Sequence, residues 1–225
     1  LNRVVRRDIA VSPGASNDTT FEEYDYDGLS RIVRAEDDDS VVLRTYDSLS
    51  QTTSEILNGQ TTQSLYDGVG NMLNCIYPGG RSIETVYDSL DRSSIITDTT
   101  NSQAPSEIAN FSFVGPSRIA ERLYGNGTRT EFTYNGITDV PDPAQDFGVQ
   151  KIVRSLHSQV GSGNVIADHN YTWDSMGNKS SRQNAPANID DIFNYDSAYR
   201  LIQSVNDNNP TDYNLDLSQN RTQVA

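Results

Sequence analysis

Residues that could bind a metal ion are few in this chain, and their spacing does not group them. The chain has two histidines and one cysteine, His157, His169 and Cys75. A structural zinc site needs several such ligands at short, characteristic separations, and these three do not stand at such separations. Each histidine is therefore interpreted as a surface or strand-face residue. Cys75 is interpreted as a small apolar filler, and a single cysteine excludes an internal disulfide framework.

Acidic and small-residue clusters offer no clearer site. The run Asp37-Asp38-Asp39 could collect a calcium ion, since hard cations take carboxylate oxygens. No calcium-loop pattern follows it, which favours a solvated hairpin turn. Gly161-Ser162-Gly163 lacks the Gly-x-Ser-x-Gly pattern of a hydrolase elbow and predicts a flexible turn. We expect no catalytic, cofactor-binding or metal-binding residue, no cofactor and no enzymatic activity.

Aromatic side chains are the remaining candidates, because exposed Tyr and Trp rings could stack on sugars. The aromatic residues that could form such a stripe are Tyr24, Tyr26, Phe132, Tyr134, Tyr171, Trp173, Phe193 and Tyr195. An inward-facing core or a cross-strand ladder is the favoured interpretation. An extracellular carbohydrate-binding or adhesion module stays open as the alternative.

Composition limits the class of protein. The 225 residues suffice for one large domain or two small ones. The net charge of −14 argues against a nucleic-acid partner, whose phosphates are bound mainly by Lys and Arg. No run of 18 apolar residues occurs, so we expect no membrane insertion by this segment. The acids are 23 Asp and only 8 Glu, and Asp favours turns, which indicates a chain of strands and turns.

A Tyr-Asp repeat organises the chain. It recurs at intervals of 20, 20 and 21 residues from Tyr26 onward, with weaker copies at Tyr134, Trp173 and Leu215. The predicted signature residues, all structural, are Tyr26, Asp27, Tyr46, Asp47, Tyr66, Asp67, Tyr87, Asp88, Tyr134, Trp173, Asp174, Tyr195, Asp196 and Asp216. A repeat with this period predicts one supersecondary unit per copy.

The residue types that recur around the repeat aromatic can each be explained physically. The Asp can accept hydrogen bonds from backbone amides two residues on, which fixes a turn. The apolar residue two positions after the Asp, such as Leu29, is expected to tuck the turn back onto the core. Arg, Gln or Asn follows after two more residues, as at Arg31. A second turn lies between consecutive copies of the motif. It is clearest at Tyr77-Pro78-Gly79-Gly80-Arg81 and Tyr124-Gly125-Asn126-Gly127-Thr128, and Asn58-Gly59 also marks it. Each unit of about 20 residues is thus a pair of strands with two turns.

These residues closely resemble the YD-repeat (RHS-repeat) family, which includes bacterial Rhs toxins, insecticidal toxin-complex shells and teneurins. The matching segments are Tyr26-Asp27-Gly28-Leu29-Ser30-Arg31, Tyr66-Asp67-Gly68-Val69-Gly70-Asn71 and Trp173-Asp174-Ser175-Met176-Gly177-Asn178. The resemblance implies an all-β fold of tandem antiparallel hairpins in a long curved or spiralling sheet, one arc of a shell. If the Tyr of the Tyr-Asp pair is counted as the first slot of the motif, the glycine typical of the fifth slot is present only at Gly70 and Gly177. The repeats have therefore diverged from the family pattern.

The resemblance also implies organisation and function. The chain is expected to be a single array over 1–225, cut from a longer protein at both ends. It would comprise degenerate leading strands at 1–20, regular repeats at 21–100, diverged or inserted repeats at 101–168 and regular repeats at 169–225. Its expected role is a non-catalytic part of a β-shell that encloses or presents a payload such as a C-terminal toxin. The expected partners are the rest of its own polypeptide, with surface glycans or other proteins as alternatives, at an extracellular or cell-surface location.

Overall fold

A computed structural model describes residues 3–10, 14, 19–134, 152–216 and the backbone of 221–224. The segment Asp142-Pro143-Ala144, whose sequence predicts a loop, lies outside the described residues. The chain divides into two compact units, Leu1–Ile108 and Ala109–Ala225. Secondary structure in the described residues consists of strands and turns, and no helix there is long and apolar enough to cross a membrane.

The first unit is a sheet in which each strand pairs antiparallel with the next one along the chain. Its strands are β1 (Arg6–Asp8), β2 (Phe21–Tyr26), β3 (Ile32–Glu36), β4 (Val41–Tyr46), β5 (Thr52–Leu57), β6 (Gln60–Tyr66), β7 (Met72–Ile76), β8 (Ser82–Tyr87) and β9 (Ser93–Asp98). Each repeat aromatic is the last residue of its strand.

The second unit repeats the same antiparallel order, starting from a strand that crosses the unit boundary. Its strands are β10 (Ser106–Val114), β11 (Arg118–Tyr124), β12 (Thr128–Tyr134), β13 (Ile152–Gln159), β14 (Val165–Trp173), β15 (Lys179–Asn184), β16 (Ile189–Tyr195), β17 (Leu201–Asn206), β18 (Asn209–Leu215) and β19 (Arg221–Val224). The predicted all-β fold of antiparallel hairpin repeats is confirmed.

The turn after each Tyr-Asp pair is closed by two backbone hydrogen bonds. In the first copy the amide of Asp27 donates to the carbonyl of Arg31 at 3.0 Å, and the amide of Ser30 donates to the carbonyl of Asp27 at 3.1 Å. The residue before the Arg or Asn of the motif has positive φ, 70° at Ser30 before Arg31 and 102° at Gly70 before Asn71. This left-handed position is the fifth slot, so glycine is favoured there because it has no Cβ to clash.

A register shift accompanies the repeat aromatic in every copy. Tyr26 pairs with Ile32 while Asp25 pairs with Arg34, so Val33 is an extra residue on β3. The same shift falls immediately before each of the other seven first-slot residues, Tyr46, Tyr66, Tyr87, Tyr134, Trp173, Tyr195 and Leu215. Such bulges bend a strand and increase its local twist.

The second class of turn also forms where it is predicted. The amide of Gly80 donates to the carbonyl of Tyr77 at 3.0 Å, and the amide of Gly127 donates to the carbonyl of Tyr124 at 3.0 Å. Asn58 and Gly59 both have positive φ, 47° and 81°, the conformation of a two-residue hairpin turn.

Burial is slight because these sheets are a single layer within each unit. Ala109 at 5% exposure and Tyr134 at 8% are the buried hydrophobic residues of the described part. The expectation that the apolar turn residue tucks onto a core is wrong. Leu29, Leu49, Val69, Leu90 and Met176 are between 57% and 74% exposed. The turn places this residue at its outer corner, beyond the reach of either sheet face.

Candidate functional site

The turn carboxylate binds both the backbone and a side chain, in an arrangement called here the Asp clasp. Oδ1 of Asp27 accepts the amides of Leu29 at 2.8 Å and Arg31 at 3.0 Å, and Oδ2 accepts Arg31 Nε at 2.6 Å. The side-chain bond recurs from Arg92 Nε to Asp88 at 2.7 Å, Arg200 Nε to Asp196 at 2.6 Å, Asn71 Nδ2 to Asp67 at 2.9 Å and Asn178 Nδ2 to Asp174 at 2.9 Å. The amide two residues on donates to the carboxylate in all of these turns.

The clasp favours ionised carboxylates. The side-chain hydrogen bond from Arg92 is the main reason that the pKa of Asp88 is lowered, and Arg200 lowers the pKa of Asp196 in the same way. For Asp27 the largest cause of a lowered pKa is the backbone amide of Arg31. A carboxylate that accepts several hydrogen bonds loses them on protonation.

Some clasps also reach the next repeat. Nη1 of Arg31 donates to the backbone carbonyl of Asp47 at 2.9 Å and to Ser50 Oγ at 3.1 Å, and its guanidinium lies 4.7 Å from the ring centroid of Tyr46. Arg200 donates likewise to the carbonyl of Asp216, and Asn71 donates to the side-chain Oδ1 of Asp91. Arg31, Asn71 and Arg200 therefore each hold two consecutive turns, whereas Arg3 donates to the carbonyl of Asp27 without a described clasp of its own.

The Asp47 turn lacks the side-chain half of the clasp. The amide of Gln51 donates to Asp47 Oδ1 at 2.9 Å, as in the other copies. Oε1 of Gln51, however, is buried and finds no hydrogen-bond partner in the described residues. A glutamine is longer than asparagine and lacks the donor fork of arginine.

The repeat aromatics form a ladder through their polar tips. The hydroxyl of Tyr46 donates to the carbonyl of Ile32 at 2.7 Å, across β3 and β4. The other rungs are Tyr26 to Val4 at 2.8 Å, Tyr87 to Met72 at 3.1 Å, Tyr134 to Ile119 at 2.9 Å, Trp173 Nε1 to Ile152 at 3.0 Å and Tyr195 to Lys179 at 2.9 Å. Each accepting carbonyl belongs to a residue upstream of the aromatic. The Tyr66 hydroxyl makes no such bond within the described part of the chain.

A second set of aromatic residues lies two positions before the repeat aromatics, and side chains two positions apart on a strand point to the same face. The aromatics two residues before the first slot, Tyr24, Phe132, Tyr171, Phe193 and Tyr213, are partly buried on the same face as the repeat aromatics. Of these, Tyr171 and Tyr213 place their hydroxyls 3.3 Å and 2.9 Å from Ser155 Oγ and Ser204 Oγ of the neighbouring strand. This geometry is that of a cross-strand ladder.

The residues weighed for metal binding have other contacts, although His157 and His169 lie diagonally across β13 and β14, where Ser155 pairs with His169 and His157 pairs with Ala167. His157 Nδ1 is 3.0 Å from Thr130 Oγ1, His169 packs near Tyr171 with ring centroids 6.2 Å apart, and Cys75 is a half-buried free thiol. No group of three or more His, Cys, Asp or Glu residues in the described ranges is arranged to hold a metal ion.

The acidic run forms a hairpin turn between β3 and β4. Asp37 Oδ1 accepts the amides of Asp39 at 3.0 Å and Ser40 at 2.6 Å, and Asp38 Oδ1 accepts Thr20 Oγ1 at 2.7 Å. These carboxylates are engaged by the chain itself. Gly163 also closes a turn, because its amide donates to the carbonyl of Gln159 at 3.0 Å.

The sequence carries a signal for the clasp. The recurrence of Arg or Asn four residues after the turn Asp marks the clasp, but its role depends on a backbone turn that brings the two side chains together. The reach of Arg31 to the next repeat depends on the spacing of adjacent hairpins, which follows only from the paired sheet.

Together, the clasp and the ladder define a class of protein, a β-hairpin repeat sheet stabilised from turn to turn. No protein-family model and no curated protein matches the chain. Solved structures do match. A chain in the structure of the Photorhabdus luminescens Tc holotoxin pore has a TM-score of 0.75 at 18% identity, covering 95% of this chain and 13% of that chain.

Chains in the crystal structures of TcdB2-TccC3 and TcdB2-TccC3-Cdc42 match with a TM-score of 0.75 at 17% identity and the same coverages, 95% and 13%. This chain therefore has the fold of the matched segment of those toxin-complex chains, and the predicted resemblance is confirmed at the level of the fold. The chain spans only 13% of the length of the structures it matches.

Proposed function

We propose that this chain is a non-catalytic structural segment of a large YD-repeat protein, one arc of a β-shell that encloses or presents a polypeptide payload. The observation that carries the proposal is the link from one repeat to the next, such as Arg31 to the Asp47 carbonyl at 2.9 Å. Recurrent hydrogen bonds from side chains to the neighbouring turn stabilise an extended sheet. They are made by the Asp and by the Arg or Asn that recur in the motif.

The exposed apolar turn residues support a partner within the same polypeptide. Leu29, Leu49, Val69 and Leu90 recur at one turn per repeat, and alternate turns of a hairpin array are about 10 Å apart. A turn corner does not require an apolar side chain, so its recurrence at the same corner of successive repeats supports a contact along this edge. We assign this row to contacts with further parts of the parent protein.

A secreted or cell-surface location and a toxin payload belong to the same proposal. They are supported by the fold shared with toxin-complex chains. A general sugar-binding surface along the repeats is less well supported, because the polar tips of most repeat aromatics are bound to backbone carbonyls.

Electron microscopy and limited proteolysis of the complete gene product test the proposal. We expect a hollow particle whose wall contains this hairpin array, and an enclosed segment that resists protease. Leu49→Asp combined with Val69→Asp should expose that segment to cleavage, because the two charges disrupt the apolar row.

The matched control is Ser48→Asp, which adds a charge at the neighbouring exposed turn residue without removing an apolar side chain. It should leave the protection intact. A gene product whose repeats form no hollow wall, or that neither encloses nor presents a further segment, would overturn the proposal, as would a catalytic activity that maps to residues of this array.

A further inference from the structure

A guanidinium group recurs at one position between consecutive repeats, where it contacts both a repeat aromatic and the turn that follows it. Arg31 Nη1 donates to the carbonyl of Asp47 at 2.9 Å, and its guanidinium carbon lies 4.7 Å from the ring centroid of Tyr46. Arg3 lies in the same way one repeat earlier, with Nη1 3.2 Å from the carbonyl of Asp27 and the guanidinium carbon 5.0 Å from the ring of that copy. The ring and the turn carbonyl together are called here the guanidinium seat.

The seat between the Asp67 and Asp88 turns has an asparagine in place of the arginine. Asn71 stands four residues after the turn aspartate, as Arg31 does in the first copy. Its Nδ2 donates to Asp67 Oδ2 at 2.9 Å and to Asp91 Oδ1 at 3.0 Å. The shorter side chain therefore ends at these two carboxylates and supplies no guanidinium to the seat.

A cavity of about 610 Å3 opens at this seat. The ring of Tyr87 lines it, and so do the acidic residues Asp67, Glu84, Asp88 and Asp91. None of the described residues that line it is basic, although Arg92 pairs with Asp88 from outside the cavity. The cavity therefore favours a cationic ligand.

Asp91 adds a carboxylate at a position that already contacts a guanidinium in another copy. It stands three residues after the turn aspartate, where Ser50 Oγ accepts Arg31 Nη1 at 3.1 Å. A carboxylate is the stronger acceptor for a guanidinium, because the hydrogen bond is then charge-assisted. Relative to the seat of Arg31, this seat has lost its own cation and gained an anion.

The same cavity has an apolar wall. Leu65, Leu73 and Val86 line it, and Leu65 and Val86 are 60% and 47% exposed. A volume of about 610 Å3 is much larger than a guanidinium group needs. The apolar wall leaves room for residues on either side of an arginine.

We propose that this cavity binds an arginine side chain supplied by a partner polypeptide. The guanidinium would lie over the Tyr87 ring and donate to the Asp88 carbonyl and the Asp91 carboxylate, as Arg31 donates to its own seat. Apolar residues beside the arginine would lie against Leu65 and Val86. The inference rests on two adjacent turns and holds whether or not the array forms part of a shell.

A second copy separates the effect of the asparagine from that of the carboxylate. Asn178 also replaces the arginine, and its Nδ2 donates to Asp174 Oδ2 at 2.9 Å. The next turn carries Tyr199 at the position of Asp91. This seat lacks the added carboxylate and should bind a guanidinium more weakly.

Titration of the 225-residue chain with a blocked leucine-arginine-leucine peptide tests the proposal. We expect saturable shifts in the NMR amide signals of the Asp88 turn, with an affinity that falls as salt is added. The neutral citrulline analogue should bind at least about tenfold more weakly, the size of one charge-assisted hydrogen bond. The lysine analogue should also bind more weakly, because an ammonium lacks the planar donor fork, and so should methylguanidinium, which lacks the apolar neighbours.

Asn71→Arg is the decisive variant, because it fills the seat from within the chain as Arg31 does. Arginine stands naturally at this position of other copies, so the substitution should not disturb folding. It should weaken binding of the arginine peptide at least about tenfold, whereas the matched control Asn178→Arg should leave the affinity unchanged.

Four results would each overturn the proposal. They are no saturable shift, equal binding of the arginine peptide and its citrulline or lysine analogue, binding of methylguanidinium as tight as that of the peptide, and unchanged binding by the Asn71→Arg variant.

Discussion

Nη1 of Arg31 donates a hydrogen bond of 2.9 Å to the backbone carbonyl of Asp47, which is the turn aspartate of the next repeat. The same guanidinium binds its own Asp27 through Nε at 2.6 Å and lies over the ring of Tyr46. A single side chain thus joins the closing of one turn to the position of the next. Few residues of the described part are buried, so such links replace the interlayer packing that stabilises most domains.

The Tyr46 rung of the aromatic ladder should be measurable as stability. Tyr46→Phe removes the hydroxyl that donates to the Ile32 carbonyl at 2.7 Å and changes nothing else in the ring. We expect a loss of about 1 kcal/mol in the free energy of unfolding, measured by urea denaturation. Tyr66→Phe is the matched control, because the Tyr66 hydroxyl makes no hydrogen bond in the described part of the chain, and equal losses in the two variants would contradict the ladder.

The incomplete clasp at Asp47 should be repairable. Gln51→Arg places a guanidinium where Arg31, Arg92 and Arg200 bind their own turn aspartates. It also removes a buried carbonyl oxygen that has no partner within the described residues. We expect a gain of about 1 kcal/mol in the free energy of unfolding.

Gln51→Met separates the two effects, since it removes the unpartnered oxygen but cannot form the clasp. If Gln51→Arg and Gln51→Met raise the denaturation midpoint equally, then the arginine does not restore the clasp.

The sequence predicted the parts of this fold that depend on local residue types. Tyr46 and Asp47 at a 20-residue period indicated a strand end followed by an Asp turn, and Asn58-Gly59 indicated the tight hairpin. The predicted burial of apolar turn residues such as Leu49 is wrong, because apolar character favours burial but a turn corner in a single layer has nothing to pack against. The extra residue at Val33 could not be found at all, since a bulge is defined only by the pairing of two strands.

The left-handed turn position offers a test of backbone strain. Tyr199 has φ of 61° and is largely exposed, so its ring contributes little packing to offset the unfavourable conformation. Tyr199→Gly should raise the free energy of unfolding by about 0.5 to 1 kcal/mol, after the entropy that glycine loses on folding. Tyr199→Ala keeps the Cβ and should give no such gain in the same thermal or urea measurement.

Gly70 tests the same position in the opposite direction. It has φ of 102°, and a Cβ there would stand 3.0 Å from Gln51 Nε2. Gly70→Ala should therefore destabilise the protein by about 1 to 2 kcal/mol. If the alanine variant were as stable as the parent chain, this turn position would not be strained.

Acid should weaken the clasps in a defined pH range. The pKa of Asp196 is lowered from its ordinary value of 3.8, mainly by the Arg200 side chain, and the pKa of Asp174 is lowered mainly by Asn178. A carboxyl group whose pKa is lower in the folded state stabilises the fold fully above its unfolded pKa, and this stabilisation is lost as pH falls through the folded value. The contribution of these carboxyl groups to the free energy of unfolding should therefore be constant near neutral pH and should decline below about pH 4.

Asp196→Asn isolates one clasp in that pH profile. The amide keeps the size of the carboxyl group but cannot form a charged pair with Arg200, so the variant should be less stable than the parent at pH 7. The difference between the two proteins should shrink as pH falls towards 2, because the parent then loses the same interaction by protonation. Parallel stability curves from pH 7 to pH 2 would show that the carboxylate of Asp196 contributes nothing through its charge.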